Sequence, residues 1–293
     1  MRYSWQDKLF YTVVYVVLTL FFLAVLYPCV FVLSASFSSG TAVQSGKVVL
    51  FPVEFSTKGY EMVLKDKDVW LGLRNSIFYT VVGTCINIIM IMTCGYCMSR
   101  KDLPGRNLFM MMFTLTMFFN GGMIPTYMLL RNLKMINTIW AMLIPGAMGV
   151  YNMIVAKTFI QNSIPHELLE ATMIDGGSDI AYYLKVVLPL SKSIIAVQVL
   201  FNGVTHWNSY FNAMIYLYNE RLYPLTLFLR QILMLENIDP STFADTEQAA
   251  AIMQYVGVIK YALIVVTMVP IIMLYPFIQK HFVKGVMIGS VKG

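Results

Sequence analysis

Charged side chains are scarce in this chain. Only 12% of its 293 residues are Asp, Glu, Lys or Arg, whereas 58% are hydrophobic. In soluble proteins about 25% of the residues are charged. The few charges also leave long uncharged runs, and the stretch from Leu9 to Leu33 contains none. Because a water-soluble fold could not bury so much apolar surface, the composition excludes a soluble protein and indicates an integral membrane protein.

The chain has few residues that could support metal binding or redox chemistry. The cysteines and histidines are few and lie apart: Cys29, Cys85, Cys94, Cys97, His166, His206 and His281. Cys94 and Cys97 have C-x-x-C spacing, but no second pair and no nearby histidine completes a metal site. We therefore expect the cysteines to be small buried hydrophobic residues, and we predict no metal site and no catalytic residue.

Two further absences limit how the chain could be energised. No Asp or Glu lies inside an apolar block, whereas a transporter driven by an ion gradient normally places a carboxylate within the membrane. The chain also lacks the phosphate loop G-x-x-x-x-G-K-[ST]. We therefore expect it to bind no cofactor of its own and to take its energy from a partner.

Apolar blocks are the main feature that is present. Each is long enough to cross a bilayer as a helix, which takes about 20 residues. We predict an all-α integral membrane protein with one transmembrane domain over residues 1–293 and helices at about 9–33, 71–98, 108–130, 136–161, 187–217 and 255–281. The first block could be a secretory signal, but it exceeds the usual apolar core of about 7–15 residues, so we interpret it as a helix of the mature protein.

The basic residues indicate an orientation. An even number of spans places both termini on one side of the membrane. The turn from Arg100 to Arg106 and the chain after residue 280 are basic, and short basic segments favour the cytoplasmic side. We predict a multi-pass cell-membrane protein with both termini in the cytoplasm. The net charge of +6 does not indicate nucleic-acid binding, because the basic residues flank the spans instead of forming one patch.

A polar segment, residues 163–178, separates the fourth and fifth predicted spans and has the signals of a short helix. Pro165 suits a first helical turn, Glu167 suits the positive end of the helix dipole, and Gly176-Gly177 permits a stop with positive φ. Helical spacing places on one face Leu168, Ala171, Thr172 and Asp175. The small residues there would let a partner surface approach closely. An ordinary amphipathic helix at the membrane interface is the alternative.

The fifth predicted span is unusually polar. It holds Asn202, His206, Trp207, Asn208, Tyr210 and Asn212. Polar groups in a membrane are costly unless they face a cavity or a partner helix, and aromatic and amide side chains suit a glycan. We therefore expect two possible roles, lining of a substrate path or hydrogen bonding between helices, for His206, Trp207, Asn208, Tyr210 and Asn212. Asn120 has the same two interpretations, and Gly121-Gly122 beside it could mark a bend.

The polar segment resembles a known signature. In permease subunits of binding-protein-dependent ABC importers the EAA signature reads E-A-A-x-x-D-G-A and then x-L-P, and this chain has Glu170-Ala171-Thr172-x-x-Asp175-Gly176-Gly177 and then Leu188-Pro189-Leu190. Thr172 and Gly177 depart from it, each as one small residue for another. Four other stretches are similar to the carbohydrate branch, and within it to the polysaccharide or lipoprotein-type permeases and the shorter maltose-system permease: residues 120–127, 207–212, 223–225 and 284–293.

The resemblance implies a fold and a set of partners. The fold is that of type I ABC-importer permeases, with a cytoplasmic coupling helix that sits in a cleft of the ATPase. The partners are a second homologous permease subunit, two ATPase subunits that bind ATP and Mg²⁺, an extracellular sugar-binding lipoprotein, and the lipid of a bacterial cell membrane. The implied coupling residues are Pro165, Glu167, Glu170, Ala171, Thr172, Asp175, Gly176, Gly177 and Pro189.

The function expected from this resemblance is import of a sugar or oligosaccharide. A permease of the same class for another kind of solute, and an ion-coupled secondary transporter, are the alternatives. The residues do not specify which sugar is carried or how long it is.

Overall fold

The computed structural model describes residues 4–235, 256–273 and 276, and these residues contain helices and no strand. The predicted sixth span is described from 256 to 273. Its remaining part, most of the outer segment before it, and the stretch 284–293 lie outside the described residues.

The helices follow one another closely along the chain. In order they are α1 (Trp5–Ser36), α2 (Gly40–Gln44), α3 (Lys58–Lys65), α4 (Lys67–Ser99), α5 (Arg106–Phe118), α6 (Met123–Asn132), α7 (Trp140–Leu143), α8 (Val150–Ser163), α9 (Glu167–Ile174), α10 (Asp179–Tyr182), α11 (Leu188–Leu190), α12 (Lys192–Trp207), α13 (Tyr210–Tyr216), α14 (Leu225–Leu235) and α15 (Val256–Met273). A π-helix, Tyr183–Val187, joins α10 to α11, and a 3₁₀ turn, Glu220–Leu222, precedes α14.

Three of these helices, α1, α4 and α15, are each long and apolar enough to cross a membrane. The count among the described residues rises to 5 if each of two bent pairs is one span. One pair is α5 with α6, bent by 114°, and the other joins the helical stretch Asp179–Leu190 to α12, bent by 77°. Three predicted helices, 108–130, 136–161 and 187–217, are therefore interrupted where a continuous helix was expected.

The interruptions have local causes. Between α5 and α6, Gly122 has a φ of 84° and a ψ of 179°, a conformation open mainly to glycine. Between α7 and α8 the chain passes through Pro145 and Gly146, whose φ is 75°. Proline has no N–H to donate to a carbonyl of the preceding turn, and the glycine adopts the left-handed conformation. These signals stand inside apolar stretches, so hydropathy alone does not separate the helices.

The chain divides into two compact units. The first consists of residues 1–70 and 229–269, and the second of residues 71–228 and 270–293. In the first unit α3 packs closely on α15, because a Cβ added at Gly59 would lie 2.6 Å from the carbonyl oxygen of Val258. The apolar body of α1 is exposed along its length, as expected for a helix in contact with lipid or with another subunit.

The second unit is built around α4. Ile91, Met92 and Tyr96 of α4 are buried in one cluster with residues of α8 and α12. At Gly95 an added Cβ would lie 3.1 Å from the Cβ of Ala156, so the backbones of α4 and α8 approach closely there. Because this core also contains Leu169 of α9, the polar segment is packed onto the rest of the unit.

Candidate functional site

The polar segment contains the expected short helix, α9. Its first turn carries Glu167 and Glu170, which interact favourably with the amino-terminal end of the helix dipole. The residue at the helix N-cap is His166, so Pro165 precedes the cap instead of occupying the first turn. Leu169 is the buried side chain of the helix. The remaining side chains of α9 are wholly or partly exposed and form a surface that a partner can contact.

The carboxy-terminal end of α9 follows the predicted glycine stop. Asp175 is the C-cap, and Gly176 has a φ of 72° with no atom within 4 Å of an added Cβ. Gly177 donates its N–H to the carbonyl of Thr172 at 2.8 Å. Together these residues end the helix with a left-handed glycine. The hydroxyl of Thr172 is bonded to its own helix, to the carbonyl of Leu168, so Thr172 contributes mainly a methyl group to the exposed surface.

Ala171 is exposed on α9, as a residue for close partner contact should be. Pro189, by contrast, lies outside α9, in the three-residue helix α11 after the π-helix. Proline cannot donate to a carbonyl of the preceding turn, and its ring clashes there. The wider π turn and the 77° bend before α12 lie directly around it. Pro189 is therefore part of the bend that leads into α12.

Arg100 is a residue that sequence reasoning did not single out. Its guanidinium donates to Asp102 at 2.8 Å from Nε and to Asp179 at 2.6 Å from Nη1. The Arg100 hydrogen bond lowers the pKa of the Asp102 carboxyl to about 2, and these contacts raise the pKa of Arg100. The available sequence signal was a basic residue directly after a span. That signal indicated orientation and gave no partner.

His206 forms the hydrogen bond between helices that was one of the two interpretations. Its Nε2 lies 2.7 Å from Oδ1 of Asn87 on α4, whose Nδ2 donates to the carbonyl of Gly146 at 3.0 Å. The ring also occupies the space above Gly83, where an added Cβ would lie 2.5 Å from His206 Cε1. His206 thus joins α12 to α4 and to the loop before α8.

Trp207 is buried, with 3% of its surface exposed. It lines a cavity of about 450 Å³ between α4 and α12, together with Thr80, Thr84, Ile88, Leu200 and Gly203. Most of the atoms around the cavity are apolar. This environment suits packing against hydrocarbon better than binding of a hydroxyl-rich sugar.

Asn208 and Asn212 are exposed, but they do not share one continuous helix. Helix α12 ends at Trp207 with Asn208 as its C-cap, and α13 begins at Tyr210. Their separation of four residues, which would place them on one face of a continuous helix, therefore does not do so here. Within the described residues neither amide side chain has a hydrogen-bond partner, so both remain free to bind one. Tyr210 packs against a neighbouring apolar cluster.

Asn120 occupies the bend between α5 and α6. Its Oδ1 accepts a hydrogen bond of 2.9 Å from the N–H of Gly122. The residues around it are exposed, among them Phe118 and Phe119. Asn120 therefore stabilises the turn through its side-chain oxygen, and the residue is otherwise exposed.

A polar stripe on α4 was also missed. Asn75, Tyr79, Gly83 and Asn87 recur at intervals of four residues, hence along one side of the helix. Asn75 donates to the carbonyls of Arg221 and Tyr223, and the Tyr79 hydroxyl donates to the carbonyl of Leu222. The signal was polar residues at helical spacing inside an apolar span, which indicates a buried helix face in a membrane protein.

Metal-ligating residues do not cluster in the part of the chain that the structure describes: no group of 3 or more His, Cys, Asp or Glu side chains could hold an ion. The candidate site therefore consists of the exposed helix α9 and of the polar side chains on α4, α12 and α13.

The chain has well-matched relatives, although no protein-family model matches it. It is 37% identical over 288 residues to the polygalacturonan/rhamnogalacturonan transport system permease protein YtcP of Bacillus subtilis (strain 168), covering 98% of this chain and 100% of that protein. It is 38% identical over 266 residues to the protein LplC of the same organism, covering 91% of this chain and 89% of that protein.

Among solved structures, the chain is similar to one from a bacterial ABC transporter involved in the import of the acidic polysaccharide alginate. The identity is 34% and the TM-score 0.85, over 96% of this chain and 99% of the other. Fold and site together define an α-helical, multi-pass membrane permease, which confirms the predicted fold class. The chain belongs to the permease subunits of sugar ABC transporters.

Proposed function

We propose that the chain is one of two homologous permease subunits through which an ABC importer moves oligosaccharides of an acidic polysaccharide into a bacterial cell. An extracellular lipoprotein delivers the sugar, and two ATPase subunits hold ATP and Mg²⁺. The segment 163–178 contacts an ATPase subunit in the cytoplasm, where both termini of this chain also lie. The chain has no phosphate loop, so we expect its energy to come from partner subunits that bind ATP. Its relationship to a transport-system permease supports this expectation.

The observation that carries this proposal is the exposed helix α9. Apart from Leu169, its side chains are wholly or partly accessible, and small residues are available for contact. An exposed short helix that shares a core with α4 and α8 can accept motion from outside the membrane and move those helices.

Substitution of Gly176 tests the ATPase contact. Its φ of 72° strains a β-branched residue and tolerates Asn. In the complete transporter in lipid vesicles, Gly176→Val should abolish the ATP hydrolysis stimulated by binding protein and sugar, whereas Gly176→Asn should retain most of it. Normal stimulation with Gly176→Val in an assembled complex would refute the contact. The purified subunit alone should hydrolyse no ATP.

The acidic substrate is supported by two relatives and by charge. YtcP is named for polygalacturonan and rhamnogalacturonan, and the solved transporter imports alginate. In this chain exposed basic residues without an ion pair among the described residues lie near the α4 stripe and the α13 end: Arg74, Arg131, Lys134 and Arg221. Oligogalacturonate should therefore stimulate the complex more than a neutral arabino-oligosaccharide of equal length. A preference for the neutral sugar would overturn this assignment.

The substrate path is proposed to include Asn120, Asn208, Tyr210 and Asn212, whereas His206 and Trp207 pack α12 against its neighbours. Asn208 and Asn212 are the best-placed sugar contacts because their amides are exposed. Loss of one amide that binds a sugar hydroxyl, worth about 1 kcal/mol, should slow uptake about fivefold. Thr205→Ala is the matched control, since the Thr205 hydroxyl is exposed but bonded to its own helix. If Asn208→Ala and Asn212→Ala transport as fast as Thr205→Ala, the path lies elsewhere.

A further inference from the structure

The carboxy-terminal end of α4 is bonded to the chain on both sides of α9. Before α9, Gln161 in the last turn of α8 donates its side-chain N–H to the carbonyl of Ser99 at 3.0 Å. After α9, Asp179 at the start of α10 accepts from Arg100 at 2.6 Å. The two bonds connect residues 62 and 79 positions apart in the sequence. The chain that contains α9 is thus attached to α4 at its two ends.

Aromatic contacts reinforce the second attachment. The ring of Tyr96 on α4 lies 5.1 Å from that of Tyr183 and 6.2 Å from that of Tyr182. The Tyr96 hydroxyl also accepts from Arg100 at 3.1 Å. The last turn of α4 and the start of the helical stretch after α9 therefore pack as one body.

The covalent chain connects α9 directly to α8 on one side and to α10, and through it to α11 and α12, on the other. The route from α10 to α12 passes through a π-helix and the bend of 77° near Pro189, and such irregular turns are common places for a helix to flex. The ion pair with Asp179 is a shorter route, because it joins the chain directly after α9 to α4.

We propose that Arg100 is a positioning residue that transmits movement of α9 to α4 through Asp179. The inference rests on the proposed function, because it takes α9 as the ATPase contact. The Asp179 pair carries the movement, whereas the Asp102 pair lies within the same turn as Arg100 and connects no second helix. Movement of α4 in turn displaces His206 on α12, which is bonded to Asn87 of α4.

The two carboxylates supply a matched pair of variants. Both bind the same guanidinium and both are exposed, Asp102 by 65% and Asp179 by 60% of the side chain. Exposed ion pairs contribute little to stability, so neither Asp102→Asn nor Asp179→Asn should prevent folding. They differ in their separation from Arg100 along the sequence, which is 2 residues for Asp102 and 79 residues for Asp179.

The test uses the complete transporter reconstituted in vesicles with its binding protein and sugar. Asp179→Asn should lower the stimulated ATPase rate and the uptake about two- to fivefold, the range that loss of one exposed ion pair allows, with the basal ATPase rate unchanged. Asp102→Asn should leave the stimulated rate near that of the wild type. Asp179→Glu retains the charge and should restore most of the coupling.

Each outcome bears on the proposal. Equal effects of the two Asn variants, or normal stimulation with Asp179→Asn, would overturn it. A complex with Asp179→Asn that fails to assemble would also overturn it, because the residue would then be structural. Gly176→Val separates this failure from failure of the proposed function: if Gly176→Val uncouples and Asp179→Asn does not, α9 remains the contact and only the route through Arg100 is wrong.

Discussion

Helix α4 is held by part-buried neutral hydrogen bonds in its amino-terminal half and by ion pairs with exposed carboxylates just past its carboxy-terminal end. In the first region Asn75 and Tyr79 donate to backbone carbonyls of residues 221–223. In the second, Arg100 binds Asp102 and Asp179. Asn75 is 7% exposed, whereas both carboxylates are more than half exposed.

The difference in environment gives the two regions different strengths. A buried carbonyl that loses its donor costs about 1–3 kcal/mol, because no water replaces the bond. The ion pairs join an Arg100 side chain that is 17% exposed to carboxylates that are more than half exposed. Each contributes about 1 kcal/mol or less, because water solvates the carboxylate when the pair opens. The first region is therefore suited to a fixed scaffold, and the second to a contact that is remade during each transport cycle.

The largest effect is expected for Gly83→Ala, in the scaffold region. The new Cβ would lie 2.5 Å from the His206 ring, so the ring must shift, and we expect its bond to Asn87 to be lost. We expect a loss of about 3 kcal/mol, at the upper end of the cost of overpacking, measured as a lower apparent Tm of the purified complex in nanodiscs.

Gly203→Ala is the matched control for Gly83→Ala. A Cβ at Gly203 would meet only ordinary contacts, the nearest being Thr84 Oγ1 at 3.7 Å. This variant should keep the Tm of the wild type. Equal Tm values for the two variants would show that His206 is not fixed against α4.

A smaller loss is expected for Asn75→Ala. The substitution leaves the carbonyls of Arg221 and Tyr223 without their donor, which should cost about 2 kcal/mol and lower the Tm of the complex by less than Gly83→Ala. The exposed neighbour Ile77, replaced by Val, serves as the control and should change little. An unchanged Tm for Asn75→Ala would mean that water bonds to these carbonyls in place of the lost amide.

Tyr79→Phe removes one hydroxyl from the same region. The ring is 1% exposed and its Oη lies 2.9 Å from the carbonyl of Leu222. Because the volume of the ring is kept, we expect the loss of one hydrogen bond, about 1 kcal/mol. Thermal unfolding should place this variant between Asn75→Ala and the wild type, and a larger loss would indicate repacking around the ring.

The smallest effect on stability is expected for Arg100→Gln, at the ion-pair end. Because water solvates both carboxylates when the pairs are removed, stability should change by less than about 1 kcal/mol, although the proposed coupling would be lost. The Asp102 pKa is lowered to about 2 from the ordinary 3.8, so the contribution of this pair is fully present above pH 3.8 and is lost as the pH falls through 2. Wild-type Tm should thus show no contribution from Asp102 titration between pH 5 and 8. A Tm loss with Arg100→Gln as large as that of Gly83→Ala would contradict the comparison.

Local signals account for what could be predicted well. The helix α9 was expected to have Pro165 in its first turn and to end before Gly176, and it extends over Glu167–Ile174. The agreement is close because acidic first-turn residues and a glycine with positive φ act through their own backbone neighbourhood. The long helices α1 and α4 follow from apolar length alone. The bends at Gly122 and Gly146 also had local signals, but these stand within apolar blocks, and hydropathy does not register backbone geometry.

The sequence by itself determined the membrane environment, the all-α class and the position of the exposed helix, since each depends on composition or on residues within about one helical turn. Only the tertiary structure decided which polar residues meet. His206 is bonded to Asn87 across 119 residues, and Arg100 to Asp179 across 79. Many polar residues of this chain could have formed such pairs. The packing of α4 against α8 and α12 selects among them, because a polar group buried in a membrane protein is stable only beside a partner that this packing brings within hydrogen-bond distance.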